Sequence, residues 1–331
     1  MLLLLNPLTY VEVVWNLGAA LEYLSRMGCR RVLVQLPQGM THASERFLSA
    51  VEDRSMEALL WGRPAYGACD VVDPEAAGAD CLLHVGHLPF PWLTPERAVF
   101  YVPPTEVDVG AVADALADRR SVALGGPAGV LPWLPRVAGE LRRRGVDAGI
   151  CEGRGRARWP GLVLGCNFTS LLSCRGEPVV VSDGSFHALG LALLLGRPVV
   201  RVDPLGRAET VDPMPTLRRR YALIHGASGV RSWGVIVSDI PGQRREELAS
   251  FLCRSIRDAG LRCWQVRVTE VTRAVDDLGL EALANTACPR VSIEDSPMHR
   301  IPILTPFETL QALRLAAGGR LSRKYVMDVM F

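Results

Sequence analysis

The sequence predicts an α/β protein made of three small parallel-sheet domains in a pseudo-threefold arrangement. Three observations carry that prediction. Short apolar runs alternate with helical stretches along the chain, the pattern of small parallel sheets covered by helices. Three segments open alike, each with an apolar run that ends in a turn rich in Gly or Pro. Each segment also holds one cysteine in a similar setting, Cys69, Cys166 and Cys288, roughly a third of the chain apart.

The first opening is Arg31-Val32-Leu33-Val34-Gln35-Leu36, which leads into Pro37-Gln38-Gly39. The second, Ser121-Val122-Ala123-Leu124, leads into Gly125-Gly126-Pro127-Ala128-Gly129, and the third, Trp233 to Ser238, leads into Pro241-Gly242-Gln243. Apolar runs bounded by turn residues read as buried parallel strands. Helical spacing follows in 131–144, where Leu134, Val137 and Leu141 recur, and in 244–259, where Leu248, Leu252 and Ile256 do. Second strands are predicted at Glu57 to Trp61, Gly161 to Leu164 and Arg262 to Val266. In the third segment a helix-like stretch, 273–278, intervenes, and a further short strand, 282–285, precedes Cys288. The runs 81–85, 178–181 and 198–202 complete the sheets. The domain boundaries fall near Glu106 and Leu217, giving domains 1–105, 106–216 and 217–331. The last stretch, Leu313 to Phe331, reads as partly helical with a basic turn at Arg320, Arg323 and Lys324, and serves packing or a dimer contact.

Composition narrows the function classes. The 331 residues are 49% apolar, enough for several cores, and the formal charge is only +2. Neither the charge nor the short runs 142–144 and 218–220 predict direct nucleic-acid binding. Nearly every basic residue is Arg, with Lys324 the one lysine, which codon bias explains. Leu2 to Leu5 is apolar but short, is followed by Asn6-Pro7 and lacks a basic flank, so no targeting segment is predicted. Leu189 to Leu195 stops before Arg197, far short of the ~20 residues that span a bilayer. The expectation is a soluble, cytoplasmic protein whose nine cysteines do not form a disulfide framework.

Six of those cysteines, Cys29, Cys81, Cys151, Cys174, Cys253 and Cys263, sit in or near apolar runs and read as small core residues. Cys69, Cys166 and Cys288 lie instead in predicted loops beside Gly or Pro, and one per repeat points to a shared metal site. Zinc needs a fourth ligand for a closed site. His84 or His87 is a candidate for it, although a hydrogen-bonded histidine pair accounts for both. Three soft thiolates fit an iron–sulfur cluster at the centre of the three domains better, with one iron open to a ligand.

At this point the residues resemble those of the diphthamide synthase family. Gln35-Leu36-Pro37-Gln38-Gly39, Tyr66-Gly67-Ala68-Cys69, Gly78-Ala79-Asp80 and His84-Val85-Gly86-His87 are similar to its first-domain signature. Leu164-Gly165-Cys166 and Asp183-Gly184-Ser185-Phe186-His187 fit the middle domain. Asn285-Thr286-Ala287-Cys288-Pro289-Arg290 with Glu294-Asp295, Gly242-Gln243, and Leu304-Thr305-Pro306-Phe307-Glu308 fit the third. The resemblance implies a [4Fe–4S] cluster held by one cysteine per domain, Cys69, Cys166 and Cys288. It implies an atypical radical reaction of S-adenosylmethionine that transfers a 3-amino-3-carboxypropyl group to a histidine of translation elongation factor 2. That is the first step of diphthamide biosynthesis, and it needs an electron donor. The compact chain resembles the archaeal type, which is a homodimer.

Within that resemblance, Gln38, Gly39, Gly242, Gln243 and Arg290 are candidates for binding S-adenosylmethionine, whose carboxylate needs backbone N–H groups or an Arg. A salt bridge to Glu294 or Asp295 is the other reading of Arg290. Asp183 and His187 are candidates for lining the cavity or capping a loop. No residue is assigned as the catalytic base. Two other readings stay open: an enzyme like quinolinate synthase, whose cluster is a Lewis acid, and a noncatalytic subunit that holds a cluster.

Overall fold

Val32, Leu33 and Val34 are fully buried, as expected of a strand covered on both faces. They belong to the first of three sheets in a computed structural model, which describes residues 12–331. The run Leu2 to Leu5 and the following Asn6-Pro7 lie outside the described residues. Two compact units divide the chain, one running to Thr105 and the other Glu106–Phe331.

The first unit contains β1 (Glu12–Val14), α1 (Leu17–Arg26), β2 (Arg31–Gln35), α2 (Ser44–Glu52), β3 (Glu57–Leu60), β4 (Cys81–Val85) and β5 (Ala98–Tyr101). The strand order is β1-β5-β4-β2-β3, and every pairing is parallel. Asn16 starts α1 by accepting the Ala19 N–H at 3.1 Å, a side-chain cap for an otherwise orphaned donor. Ala20, Leu21 and Leu24 of α1 and Phe47 and Val51 of α2 pack with Val32, Val34, Leu83 and Val99 of the sheet.

The second unit carries two sheets. The first is built from α3 (Val109–Asp114), β6 (Ser121–Gly125), α4 (Leu134–Arg143), β7 (Asp147–Gly149), α5 (Thr169–Leu172), β8 (Glu177–Val181), α6 (Phe186–Leu195), β9 (Val199–Val202) and β10 (Ala208–Val211). Its order is β10-β9-β8-β6-β7. The other is built from α7 (Met214–Ala227), β11 (Ser232–Ser238), α8 (Glu246–Asp258), β12 (Arg262–Val268), β13 (Ala282–Asn285), β14 (Ile303–Leu304) and α9 (Pro306–Ala316). Its order is β12-β11-β13-β14, parallel throughout.

The architecture is therefore the expected α/β class, with three local departures. First, β10 runs antiparallel to β9. The Asp203 carboxylate accepts the Leu205 and Arg207 N–H groups, each at 2.9 Å, and closes a short turn that only an antiparallel pair allows. Second, Gly161 to Leu164 is not a strand; β7 takes that place beside β6. Gly161 sits at φ +74° and breaks the extension, and the segment makes only an isolated bridge to Gly126. Third, 273–278 forms only a 3₁₀ turn, Arg273–Asp277. The last stretch is partly helical as expected: α9 ends at Ala316, and beyond it the chain runs without regular structure while burying Tyr325, Met327 and Met330.

A fully buried ion pair anchors that last stretch. Arg220 of α7 donates to both Glu308 oxygens at 2.7 and 2.5 Å, to the Ser292 carbonyl at 2.6 Å and to the Ile303 carbonyl at 2.8 Å. Glu308 also accepts the Tyr325 hydroxyl at 2.7 Å and the Thr305 N–H at 2.7 Å. Such a pair is tolerable because its donors and acceptors are matched; removing one partner costs about 3–5 kcal/mol.

The cysteines overturn one expectation. Cys29–Cys81, Cys151–Cys174 and Cys253–Cys263 are disulfides, with Cα–Cα separations of 5.9, 5.5 and 5.6 Å. Each bridge joins neighbouring elements around a single sheet. Lateral packing brings the paired Cα atoms into bridging range, which a reading of each cysteine as an isolated core residue does not anticipate.

Candidate metal centre

The Cys69 loop begins just beyond β3 and is held by charge and by an amide. The Asp70 carboxylate, nearly buried, takes both Nη atoms of Arg63 at 2.7 Å. Burial pushes the Asp70 carboxyl upward while Arg63 opposes the shift. Gln35, at the end of β2, donates its Nε2 to the Asp70 carbonyl at 2.6 Å. Its Oε1 accepts the Val72 N–H at 3.4 Å and lies 2.8 Å from His84 Nδ1.

That arrangement fixes two tautomers. Gln35 Oε1 can only accept, so His84 Nδ1 carries a proton. His84 Nε2 then accepts from His87 Nδ1, 3.0 Å away. Burial keeps both rings neutral, holding His84 well below the usual imidazole range and His87 at about 4. Both His84 nitrogens are thus committed, so it is a structural hydrogen-bonded residue on β4 and not a zinc ligand.

The Cys166 turn is closed by mutual Leu164 and Asn167 backbone bonds of 3.0 and 3.1 Å. A Cβ on Gly165 would overlap the ring of Phe186, the first residue of α6. Asn167 is fully buried and donates to the Arg154 carbonyl at 3.1 Å and the Met330 carbonyl at 3.0 Å. The Met330 N–H returns a bond to the Cys166 carbonyl at 2.8 Å.

The Cys288 loop leaves β13. Asn285 accepts the Ala287 N–H at 2.9 Å and donates to the Cys288 carbonyl at 2.8 Å. Thr286 donates to the Ile236 carbonyl at 2.6 Å. Arg245 spans the loop, giving Nε to the Thr286 carbonyl at 2.6 Å and Nη2 to the Ala287 carbonyl at 3.0 Å. A π-helical turn, Val291–Asp295, follows, a form often found at functional sites. Arg290 is ion-paired with Glu294 and places its guanidinium 4.9 Å from the Phe186 ring centroid. Phe186 thereby touches residues flanking both Cys166 and Cys288.

The remaining sequence candidates fall as follows. Gln38 and Gly39 are exposed in a 3₁₀ turn after β2. Gly242 and Gln243 are buried in the turn after β11. Asp183 is exposed, and its carbonyl accepts from Arg201 at 2.6 Å. His187 is half-buried, edge-on to Phe186 at 5.9 Å; burial, aided by the Arg290 charge, lowers it to about 4. Cys69, Cys166 and Cys288 are each partly exposed and stand outside the three disulfides. Cys29, Asp80 and Cys81 also bring ligand atoms within 4.8 Å of one another, but those two sulfurs are bonded to each other. Asp80 accepts the Arg30 and Arg31 N–H groups at 3.0 Å. Sequence reasoning missed Arg63, Arg245, Asp328 and Met330 as loop-holding residues.

Comparison with known proteins bears on this arrangement. The family model for diphthamide synthesis proteins matches residues 36–322. The chain belongs to the diphthamide synthesis family. Among its relatives in that family, the 2-(3-amino-3-carboxypropyl)histidine synthase of Pyrococcus horikoshii is 33% identical over 301 residues, 87% of each chain. Subunit 1 of the Gallus gallus enzyme is 26% identical over 320 residues, covering 91% of this chain and 75% of its own. The crystal structure of Dph2 from Pyrococcus horikoshii with a 4Fe-4S cluster superposes with a TM-score of 0.86. It is 30% identical and covers 96% of this chain and 94% of the other. The expectation of a transferase in diphthamide biosynthesis stands on these relatives. Among the described residues, no helix is long and apolar enough to cross a membrane.

Proposed function

We propose that this chain transfers the 3-amino-3-carboxypropyl group of S-adenosylmethionine to a histidine of translation elongation factor 2, using a [4Fe–4S] cluster held by Cys69, Cys166 and Cys288. The observation that carries the reading is the division of the cysteines. Each sheet keeps two sulfurs in a disulfide and one outside it, and that one lies in a loop fastened by side chains. Three thiolates on pre-shaped loops suit an iron–sulfur cluster with one iron open. A cluster bound there would supply the electron that cleaves the sulfonium.

The protein's own groups would do the rest. Arg290, ion-paired with Glu294 beside Phe186, would share its charge with the substrate carboxylate. The turns at Gln38-Gly39 and Gly242-Gln243 would contribute backbone N–H groups other than that of Gln243, which donates to the Ile240 carbonyl at 2.9 Å. His187, neutral at pH 7, and Asp183 would line the cavity. The acceptor, a homodimeric state, a separate electron donor and a cytoplasmic setting rest on the family alone.

The test is anaerobic reconstitution with iron and sulfide, then dithionite, S-adenosylmethionine and an archaeal elongation factor 2. The expected result is methylthioadenosine and an acceptor heavier by about 101 Da, the mass of the transferred group less the hydrogen it replaces. Deoxyadenosine and methionine as main products would sink the reaction. An unmodified acceptor alongside methylthioadenosine would sink only the choice of substrate.

A further inference from the structure

Cys166 and Cys288 come from loops of two different sheets, yet one short piece of chain is bonded to the first directly and to the second through Arg245. We propose that residues 325–331 act as a strap that sets the spacing of these two cysteine loops, with Asp328 and Arg245 as positioning residues. This deepens the proposed function and rests on it for the role of the two thiols.

Met330 makes a reciprocal pair with the Cys166 turn: its N–H donates to the Cys166 carbonyl at 2.8 Å, and its carbonyl accepts Asn167 Nδ2 at 3.0 Å. Two residues earlier, the Asp328 carboxylate takes Arg245 Nη1 at 2.8 Å and Nη2 at 2.6 Å. The same guanidinium holds the Thr286 and Ala287 carbonyls, immediately before Cys288. The loops are therefore joined through Asp328-Val329-Met330, and two residues of extended chain span only about 7 Å. While those bonds hold, the short covalent link between them limits how far the loops can separate.

The strap is anchored at Tyr325 and passes close to Gly155 at its other end. Tyr325 is buried and bonded to Glu308 at 2.7 Å. Phe331 lies against Gly155, where an added Cβ would fall 2.7 Å from the Phe331 carbonyl carbon. The Arg245–Asp328 pair is bidentate and charge-assisted, the strong and directional kind. Arg245 uses the planar fork of its guanidinium to reach the carboxylate and two carbonyls at once, which a lysine cannot do. Metal–thiolate distances in a formed site agree to within about 0.2 Å, so loosening the strap should disturb ligation before it disturbs the fold.

The experiment compares the native chain with Asp328→Ala, Asp328→Glu and Arg245→Lys. In the iron-free proteins, amide hydrogen exchange across 164–168 and 286–288 is expected to be at least about tenfold faster in Asp328→Ala and Arg245→Lys, with exchange in β6, β8 and β11 unchanged. Asp328→Glu restores part of the protection. After reconstitution, Asp328→Ala and Arg245→Lys hold less iron per chain and, once reduced with dithionite, give a weaker, altered electron paramagnetic resonance signal. Native exchange rates at both loops in Asp328→Ala and Arg245→Lys overturn the strap, as does a native spectrum with full iron in both. If the native chain takes up no iron, the proposed function fails instead, and the exchange measurement alone decides the strap.

Discussion

Gly165 lies directly against the ring of Phe186, so that any Cβ at this position would overlap the ring. The ring cannot simply retreat, because the Arg290 guanidinium sits 4.9 Å from its centroid and His187 packs edge-on beside it. A glycine is required here for close approach and not for an unusual φ. It lets the Cys166 turn, α6 and the segment after Cys288 meet around one aromatic side chain.

Replacing Gly165 by Ala therefore tests how tightly that contact is set. Overpacking a close-fitted site costs about 1–3 kcal/mol, and urea denaturation should show a loss of that size. Phe186→Leu should be milder alone and should partly rescue Gly165→Ala, because the smaller side chain leaves room for the methyl group. Equal stability of Gly165→Ala and the native chain would mean the ring yields freely.

The disulfides give a second prediction and show what the sequence does and does not disclose. Unfolded in denaturant without reductant, the iron-free protein should expose three alkylatable thiols out of its nine cysteines, at Cys69, Cys166 and Cys288. Reductant should lower its stability, by about 2–4 kcal/mol for a typical bridge. Nine reactive thiols would rule the bridges out. The hint was present in the sequence: each predicted domain holds three cysteines, and pairing within a domain leaves one over. Reducing compartments argue against such pairing, although intracellular proteins of some hyperthermophiles keep disulfides.

Other features divide along the same physical line. Strands such as Arg31–Gln35 and Ser232–Ser238 were legible because burial on both faces demands continuous apolar runs. The loop cysteines were legible because a thiol beside Gly or Pro fits a packed core poorly. Gly161 to Leu164 misled because an apolar run reads alike whether it forms a strand or a buried loop. The edge strand β10 has three exposed residues out of four and no such run to reveal it. Arg245 and Asp328 are 83 residues apart, so no local pattern couples them. The loop clamps became visible only once the fold placed their partners.

The hydrogen-bonded chain Gln35–His84–His87 yields the last prediction. Burial lowers both imidazoles below the unfolded value near 6.5, His87 to about 4. Above about pH 6.5 both rings are neutral whether the chain is folded or not, and their arrangement contributes in full. As the pH falls toward 4, the unfolded chain binds protons that the folded chain refuses, so stability declines across that window. For His87 alone the loss should approach about 3 kcal/mol by pH 4, with His84 adding to it, read as a falling urea midpoint between about pH 6.5 and 4. His187, also held near 4, adds a slope of the same sign, so the comparison must be differential. His87→Asn removes one titrating ring and should flatten the profile relative to the native chain while lowering stability at pH 7. A profile as steep as the native one would show that His87 is not buried in its neutral form, and the tautomer assignment at His84 would fall with it.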